Sequence, residues 1–440
     1  MIWTRWQVPL LLAIGAGLVL MVAAGVLLLR IGAPTEQFMV TICAAGLLWL
    51  AAVAVVRQGN TPRWMVWFVV GVALAMRAMT LMTPPLLSTD MYRYVWDGRV
   101  QMAGINPYRY LPAAPELAFL RDEAVYPNIN RANYAPTIYP PAAEGIFAVA
   151  SAVMPGVFGM KLMMLGFDVL ALGSLAWLLR VAGREPAELL IYAWLPLPVW
   201  EFAGSAHVDA AAAGLIALAL VAATRGRSVW TGVLLAIATL TKFLPAVVLP
   251  AFWRRKDWRL LVAFGVTMIV LYIPYLSVGW RVFGFLGGYV AEEGVENGHG
   301  LFLLELLGTV TILPSWAATG YIAVALGVLA VLAARFAFSG PLPSAIGPRV
   351  LLVARQAAVL GAVVLVVISP HYPWYFSWLA PLACLAPIPG ILWMLAAAPL
   401  LAHGAVETLV VPGAVYIPAA FLALGDLRRL PLLPNLIRST

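Results

Sequence analysis

Residues 8–29 read VPLLLAIGAGLVLMVAAGVLLL, without a single charge, and the length of that run decides the fold class. A helix needs roughly 20 mostly apolar residues to cross the hydrocarbon core of a bilayer. Arg5 precedes the run as in a signal peptide. The run is longer than the usual h-region, however, and no A-x-A-like site ends it before Arg30, so it reads as a first span. Comparable stretches follow at 38–56, 64–83, 158–179, 187–203, 207–223, 258–278, 316–334, 350–368 and 390–410. With 63% hydrophobic and 10% charged residues, the chain has too little polar material to coat soluble domains. Residues 1–440 are therefore expected to form one transmembrane domain, an all-α polytopic bundle of about 11–14 membrane segments when half-helices are counted. Cys43 and Cys384 fall inside predicted spans, where a thiol acts as a small hydrophobe, and signal neither a disulfide nor a metal.

The net charge of +8 is explained first by topology, and nucleic acid need not be invoked. With the N-terminus cytoplasmic, Arg57 and Arg63, Arg180 and Arg184, Arg225 and Arg227, the run Arg254-Arg255-Lys256, Arg335 with Arg349, and Arg428 with Arg429 all fall on the cytoplasmic side. In all, 17 of the 27 Lys and Arg fall there, against 4 of the 19 acids. The inverse orientation would violate the positive-inside rule. Both termini are thus expected inside and the long polar loop 84–141 outside. Segment 229–252 carries Lys242 and Pro245 at its middle. Two half-helices that cross in and return would keep Arg227 and Arg254 on one side and present Lys242 toward the outer face. Broken helices at membrane depth are tolerated where they face protein or a water-filled cavity, so an outward-opening cavity is expected.

The loop begins STDMYRYVWDGRVQMAGINPYRY (88–110) and closes on NYAPTIYPP (133–141). Asp90, Arg93, Tyr94 and Asp97 share one helix face, with the two acids roughly 10 Å apart along the axis. On an interfacial amphipathic helix these acids would simply pair with Arg93 and Arg99. Further polar residues gather at the outer ends of spans: Glu201, His207 and Asp209 in WEFAGSAHVDA, His299 in AEEGVENGHG, and His371 in SPHYPWYFSW. Taken singly, His207 can cap a helix, Asp209 can serve the helix dipole, and Trp374 can belong to an aromatic belt. Together, ionisable groups at membrane depth mark a site. His403, inside a span, reads as a packed histidine bonded to a neighbouring helix.

The stretch YRYVWDGRVQMAGINPY, the acid just before it, the YPP that opens a short helix, Lys242 in a broken helix and SPHYPWYFSW resemble the polyprenol-phosphate-sugar-dependent glycosyltransferases of the GT-C fold, nearest their bacterial mannosyltransferase-like branch. In that family the first large outer loop often follows the first span. Here it follows the third, which implies two added N-terminal helices. The resemblance implies a bacterial inner-membrane enzyme that moves a hexose, with mannose favoured, from a polyprenyl-phosphate donor to a glycan or lipid acceptor outside the cytoplasm. By position it assigns the role of catalytic base to Asp90, with Asp97 as second choice.

Elementary chemistry suggests further roles. Lys242 has no evident intrahelical partner and would be costly in the membrane without an anion, which makes it the candidate for the donor phosphate. Arg93 and His371 are further candidates there. Tyr94, Trp96, Tyr139, His207, Asp209, His299, Tyr372, Trp374 and Tyr375 are candidates for contacts to the sugar, the acceptor or the lipid chain. No nucleotide-sugar or ATP motif stands in a convincing setting, and neither metal nor cofactor is expected. An outward cavity also suits a multi-pass lipid or solute transporter or flippase. The long loop favours an acceptor-binding enzyme over that reading. A third reading is a scaffold or assembly subunit with a dead site, in which the loop would be needed but Asp90 and Lys242 would not.

Overall fold

The computed structural model describes residues 3–85, 88–292, 298, 300–403 and 409–427, and among them there is no strand. Helices α1 (Trp3–Arg30), α2 (Thr35–Val56) and α3 (Met65–Leu81) pack as an antiparallel trio joined by short turns. The loop carries α4 (Asp90–Met102) and two short 3-10 turns before α5 (Pro141–Val153). Helices α6 (Val157–Val181), α7 (Asp209–Thr224), α8 (Ser228–Lys242) and α9 (Trp258–Tyr272) then pack side by side in chain order. The longest later helices are α10 (Ala317–Ala337) and α11 (Ile346–Ile368). Among the described residues, six helices are long and apolar enough to cross a membrane, seven if one bent pair is a single span, and shorter apolar helices accompany them. Among the residues of α9 only Leu260 is buried, while Val262, Val266 and Ile269 are exposed, as a lipid-facing helix requires.

The expected span 187–203 and the segment 229–252, expected as two half-helices, are both interrupted beside prolines. Residues 187–203 form a chain of short pieces, with Pro186 and Pro196 each opening one and Pro198 capping the last, a π-helical turn over Val199–Gly204. That piece meets α7 at an angle of 119°, and Glu201, His207 and Asp209 stand at the corner. The second break follows α8. Phe243 adopts φ +61°, and a 3-10 turn over Leu244–Val248 leads back through Leu249–Phe252. The two ends of this excursion reunite: Gly226 and Ser228 share a small cavity with Phe252 and Asp257. Lys242 is therefore the tip of a re-entrant segment.

The larger hydrophobic core joins α1, α2 and α3 to α6, α7 and α11. A second core belongs to the loop. Met91, Tyr94, Trp96, Leu117, Val125 and Ile129 pack on Phe147, Phe202 and Val208, so the loop is seated on α5 and on the 119° corner. Gln101 Nε2 and Thr137 Oγ1 both donate to Glu144 on α5, at 2.9 and 2.7 Å, and tie the start and end of the loop together.

Inside the larger core an ion pair crosses between helices. Arg77 of α3 donates through Nε and Nη2 to Asp168 of α6, Tyr192 donates to the same carboxylate at 2.6 Å, and Arg77 Nη1 reaches Ala193 O at 2.8 Å. Both charged side chains are almost wholly buried. Removing one partner strands a charge in a low dielectric, which costs about 3–5 kcal/mol, whereas replacing both with apolar groups is often near neutral. Arg77→Met is thus expected to lower the unfolding midpoint in detergent sharply, and Arg77→Met/Asp168→Leu to recover much of the loss. Equal midpoints for the single and double variants would show that the pair carries no such weight.

Candidate active site

A cavity of about 790 Å³ opens where the loop, the re-entrant tip and the turn after α11 converge. Asp90 and Asn130 come from the loop, Tyr139 and Pro140 from its end, Lys242 and Phe243 from the tip, and His371, Tyr372, Trp374 and Tyr375 from the turn. Of the residues singled out in the sequence, Asp90, Tyr139, Lys242, His371, Tyr372, Trp374 and Tyr375 all line this one space.

Asp90 is the first residue of α4. Its backbone N–H donates to Ser88 Oγ at 3.0 Å, and its Oδ1 accepts from Asn130 Nδ2 at 2.7 Å. It pairs with neither Arg93 nor Arg99: Arg93 binds Asp97, and Arg99 binds Asp122. Tyr139 stands nearby, and burial, reinforced by the Asp90 charge, pushes its phenol well above the usual range.

Lys242 has a partner that its own helix does not supply. Its Nζ lies 2.7 Å from Oδ2 of Asp209, the first residue of α7, whose side chain is fully buried, and 4.0 Å above the ring of Tyr375. Carboxylate below and aromatic face beside it hold the ammonium at the cavity surface, with its own side chain 13% exposed.

Tyr372 stacks on Trp374 with centroids 4.6 Å apart, and Trp374 stacks in turn on the buried ring of His207 at 4.3 Å. His207 Nδ1 is 2.7 Å from a carboxylate oxygen of Glu201. The histidine thus stands behind the aromatic wall and reaches the cavity only through Trp374. His371 lines the cavity itself, with Nε2 3.3 Å from Gly300 O.

The remaining candidates lie elsewhere. Arg93 and Asp97 form a buried pair, with Nε to Oδ1 at 2.9 Å, and Arg93 Nη1 also donates to Ala135 O at 3.2 Å, which pins the loop's returning segment. Burial pushes the Asp97 carboxyl up, against the pull of Arg93. For Asp97 the pairing described for an amphipathic helix is what occurs. Tyr94 and Trp96 belong to the loop core and are fully buried. His299 lies outside the described residues. Among the described residues no three His, Cys, Asp or Glu side chains come together as a metal site.

Asn130, Arg131 and Tyr134 also line the cavity, and no catalytic motif marks them in the sequence. Arg131 Nε is 2.7 Å from Glu292 Oε2 across 161 residues of chain, a contact only the tertiary structure creates. The one available signal was the cluster of polar and aromatic residues in NINRANY (128–134), at the far end of a loop whose near end already carried Asp90.

The sequence model for "Alpha-(1->6)-mannopyranosyltransferase, N-terminal domain" matches residues 10–254, more than half of the 440-residue chain. The chain is also 25% identical over 341 residues to alpha-(1->6)-mannopyranosyltransferase A of Mycobacterium tuberculosis, a match covering 71% of this chain and 63% of that protein. The match thus spans less than two thirds of the relative's length. No solved structure matches.

The Lys242–Asp209 contact makes a stability prediction independent of activity. Lys242→Ala leaves a fully buried carboxylate without its cation, so the single variants are expected to lose more together than Lys242→Ala/Asp209→Ala loses. The coupling should be about 1–3 kcal/mol by unfolding in detergent. Strict additivity would mean that the two side chains do not hold each other.

Proposed function

We propose, from the premise that this chain belongs to the alpha-(1->6)-mannopyranosyltransferase family, that it transfers mannose from a polyprenyl-phosphate donor to a hydroxyl of a glycan or lipid acceptor. The observation that carries this reading is a carboxylate and an ammonium, Asp90 and Lys242, facing one cavity from two different elements. Asp90 takes the proton of the acceptor hydroxyl as its oxygen bonds to the anomeric carbon. The bond from that carbon to the phosphate oxygen breaks, and its electron pair leaves with polyprenyl phosphate. The phosphate gains negative charge in that step, so a cation already in place beside it lowers the barrier. Lys242 supplies that cation, with His371 and Arg131 lining the same space. The aromatic wall of Tyr372, Trp374 and Tyr375 offers flat faces to the sugar ring or the lipid chain.

The side of the membrane follows from charge. Gly226, Ser228 and Arg349 surround the small cavity at the far end of the re-entrant segment from Lys242, close to Arg225, Arg227 and the Arg254-Arg255-Lys256 run. Positive-inside bias puts that end in the cytoplasm and the Asp90 cavity outside. The protein then sits in a bacterial plasma membrane with the reaction on its outer face.

The test is transfer by purified protein in liposomes that contain polyprenyl phosphomannose, with an octyl mannoside as acceptor. Wild type is expected to form the extended glycoside. Asp90→Asn should lower turnover by about 10²–10⁴-fold, the usual contribution of a general base, and Lys242→Ala should weaken both donor binding and turnover. Movement of donor or sugar across the bilayer without transfer would replace this reading with a transporter or flippase. Full turnover by Asp90→Asn would remove the base.

A further inference from the structure

We infer that Asn130 is the positioning residue of the proposed base: its side-chain amide holds one oxygen of the Asp90 carboxylate and leaves the other to the acceptor. The inference rests on the reading of Asp90 given above and adds to it the group that orients it. Asn130 Nδ2 donates to Asp90 Oδ1 at 2.7 Å across 40 residues of chain, and both side chains are half-buried in the same cavity wall. A carboxylate on a helix's first residue can rotate about its side-chain bonds. A fixed donor on one oxygen removes that freedom and selects the edge that faces the hydroxyl.

The loop is built to keep Asn130 there. Its neighbour Ile129 is buried in the loop core. The turn that follows is closed by Tyr134 N–H and Ala135 N–H, which both donate to Arg131 O at 3.3 and 3.0 Å, and Arg131 is held at φ +55°, a conformation costly for a residue with a side chain. Ala113 N–H donates to Ala132 O at 3.1 Å. Arg93, itself fixed by Asp97, donates to Ala135 O and ties this turn back to α4, the helix that carries Asp90. The buried Arg93–Asp97 pair thus contributes through Asn130: it sets the distance between the two ends of the loop on which the Asn130 to Asp90 hydrogen bond depends.

Asn130→Asp and Asn130→Ala separate orientation from mere space-filling. Asp keeps the shape and removes the donor, placing a second carboxylate against Asp90; Ala removes shape and donor but adds no charge. In the liposome assay, Asn130→Ala is expected to lower kcat about tenfold with the donor KM within about twofold, and Asn130→Asp to lower kcat further, about 100-fold or more, with unfolding midpoints near wild type. Wild-type turnover by Asn130→Asp, or a loss in Asn130→Ala that appears only in the donor KM, would overturn the assignment. Neither result would rescue or sink the base itself: if Asp90→Asn is inactive while Asn130→Asp is fully active, Asp90 stands and Asn130 does not. If Asp90→Asn is fully active, both fall.

Discussion

A lysine ammonium at the tip of a broken helix inside a membrane protein needs an anion, and the contact between Lys242 and Asp209 supplies it. Much of the architecture around the cavity follows from making that contact possible. Asp209 must stand at the start of α7, which requires the chain to turn through 119° after the proline-broken segment. Lys242 must stand at the end of α8, which requires the chain to stop and return, and Phe243 accepts a left-handed conformation to do so. α7 and α8 pack along each other, so the two termini meet. Tyr375 then covers a second side of the ammonium with its ring.

The loop 84–141 is arranged around this fixed point. It has its own hydrophobic core and a buried Arg93–Asp97 pair, and these hold Asp90 and Asn130 over the cavity. One carboxylate, Asp209, anchors the lysine from within the protein, while the lysine side chain still lines the cavity. A second, Asp90, has the Asn130 amide and no arginine as its partner, and lines the cavity wall. That difference between two aspartates is a difference of environment alone.

Hydropathy sufficed for the membrane class and for the helices long enough to cross, because a span is a local property of about 20 residues. It misjudged 187–203 because the average conceals what Pro196 and Pro198 do to the backbone. Residue types out of place at membrane depth pointed to one space: Lys242, Asp90 and His371 all line the cavity. Partners were not legible. Asp209 lies 33 residues before Lys242, Asn130 lies 40 after Asp90 and Asp168 lies 91 after Arg77, and no period in the sequence connects such pairs. Asp97 looked equivalent to Asp90 by helical spacing. The structure separates them by burial, because Asp97 packs beneath the loop while Asp90 sits at the helix's open end.

The central claim is that one cavity holds the phosphate against Lys242 and the acceptor against Asp90. A structure with an uncleavable polyprenyl mannosyl phosphonate and an octyl mannoside bound together tests it directly. The account predicts a phosphonate oxygen within about 3 Å of Lys242 Nζ and the reacting hydroxyl within about 2.6–3.2 Å of an Asp90 carboxylate oxygen, with the anomeric carbon between them. A phosphonate bound away from Lys242, or an acceptor hydroxyl out of reach of Asp90, would contradict it.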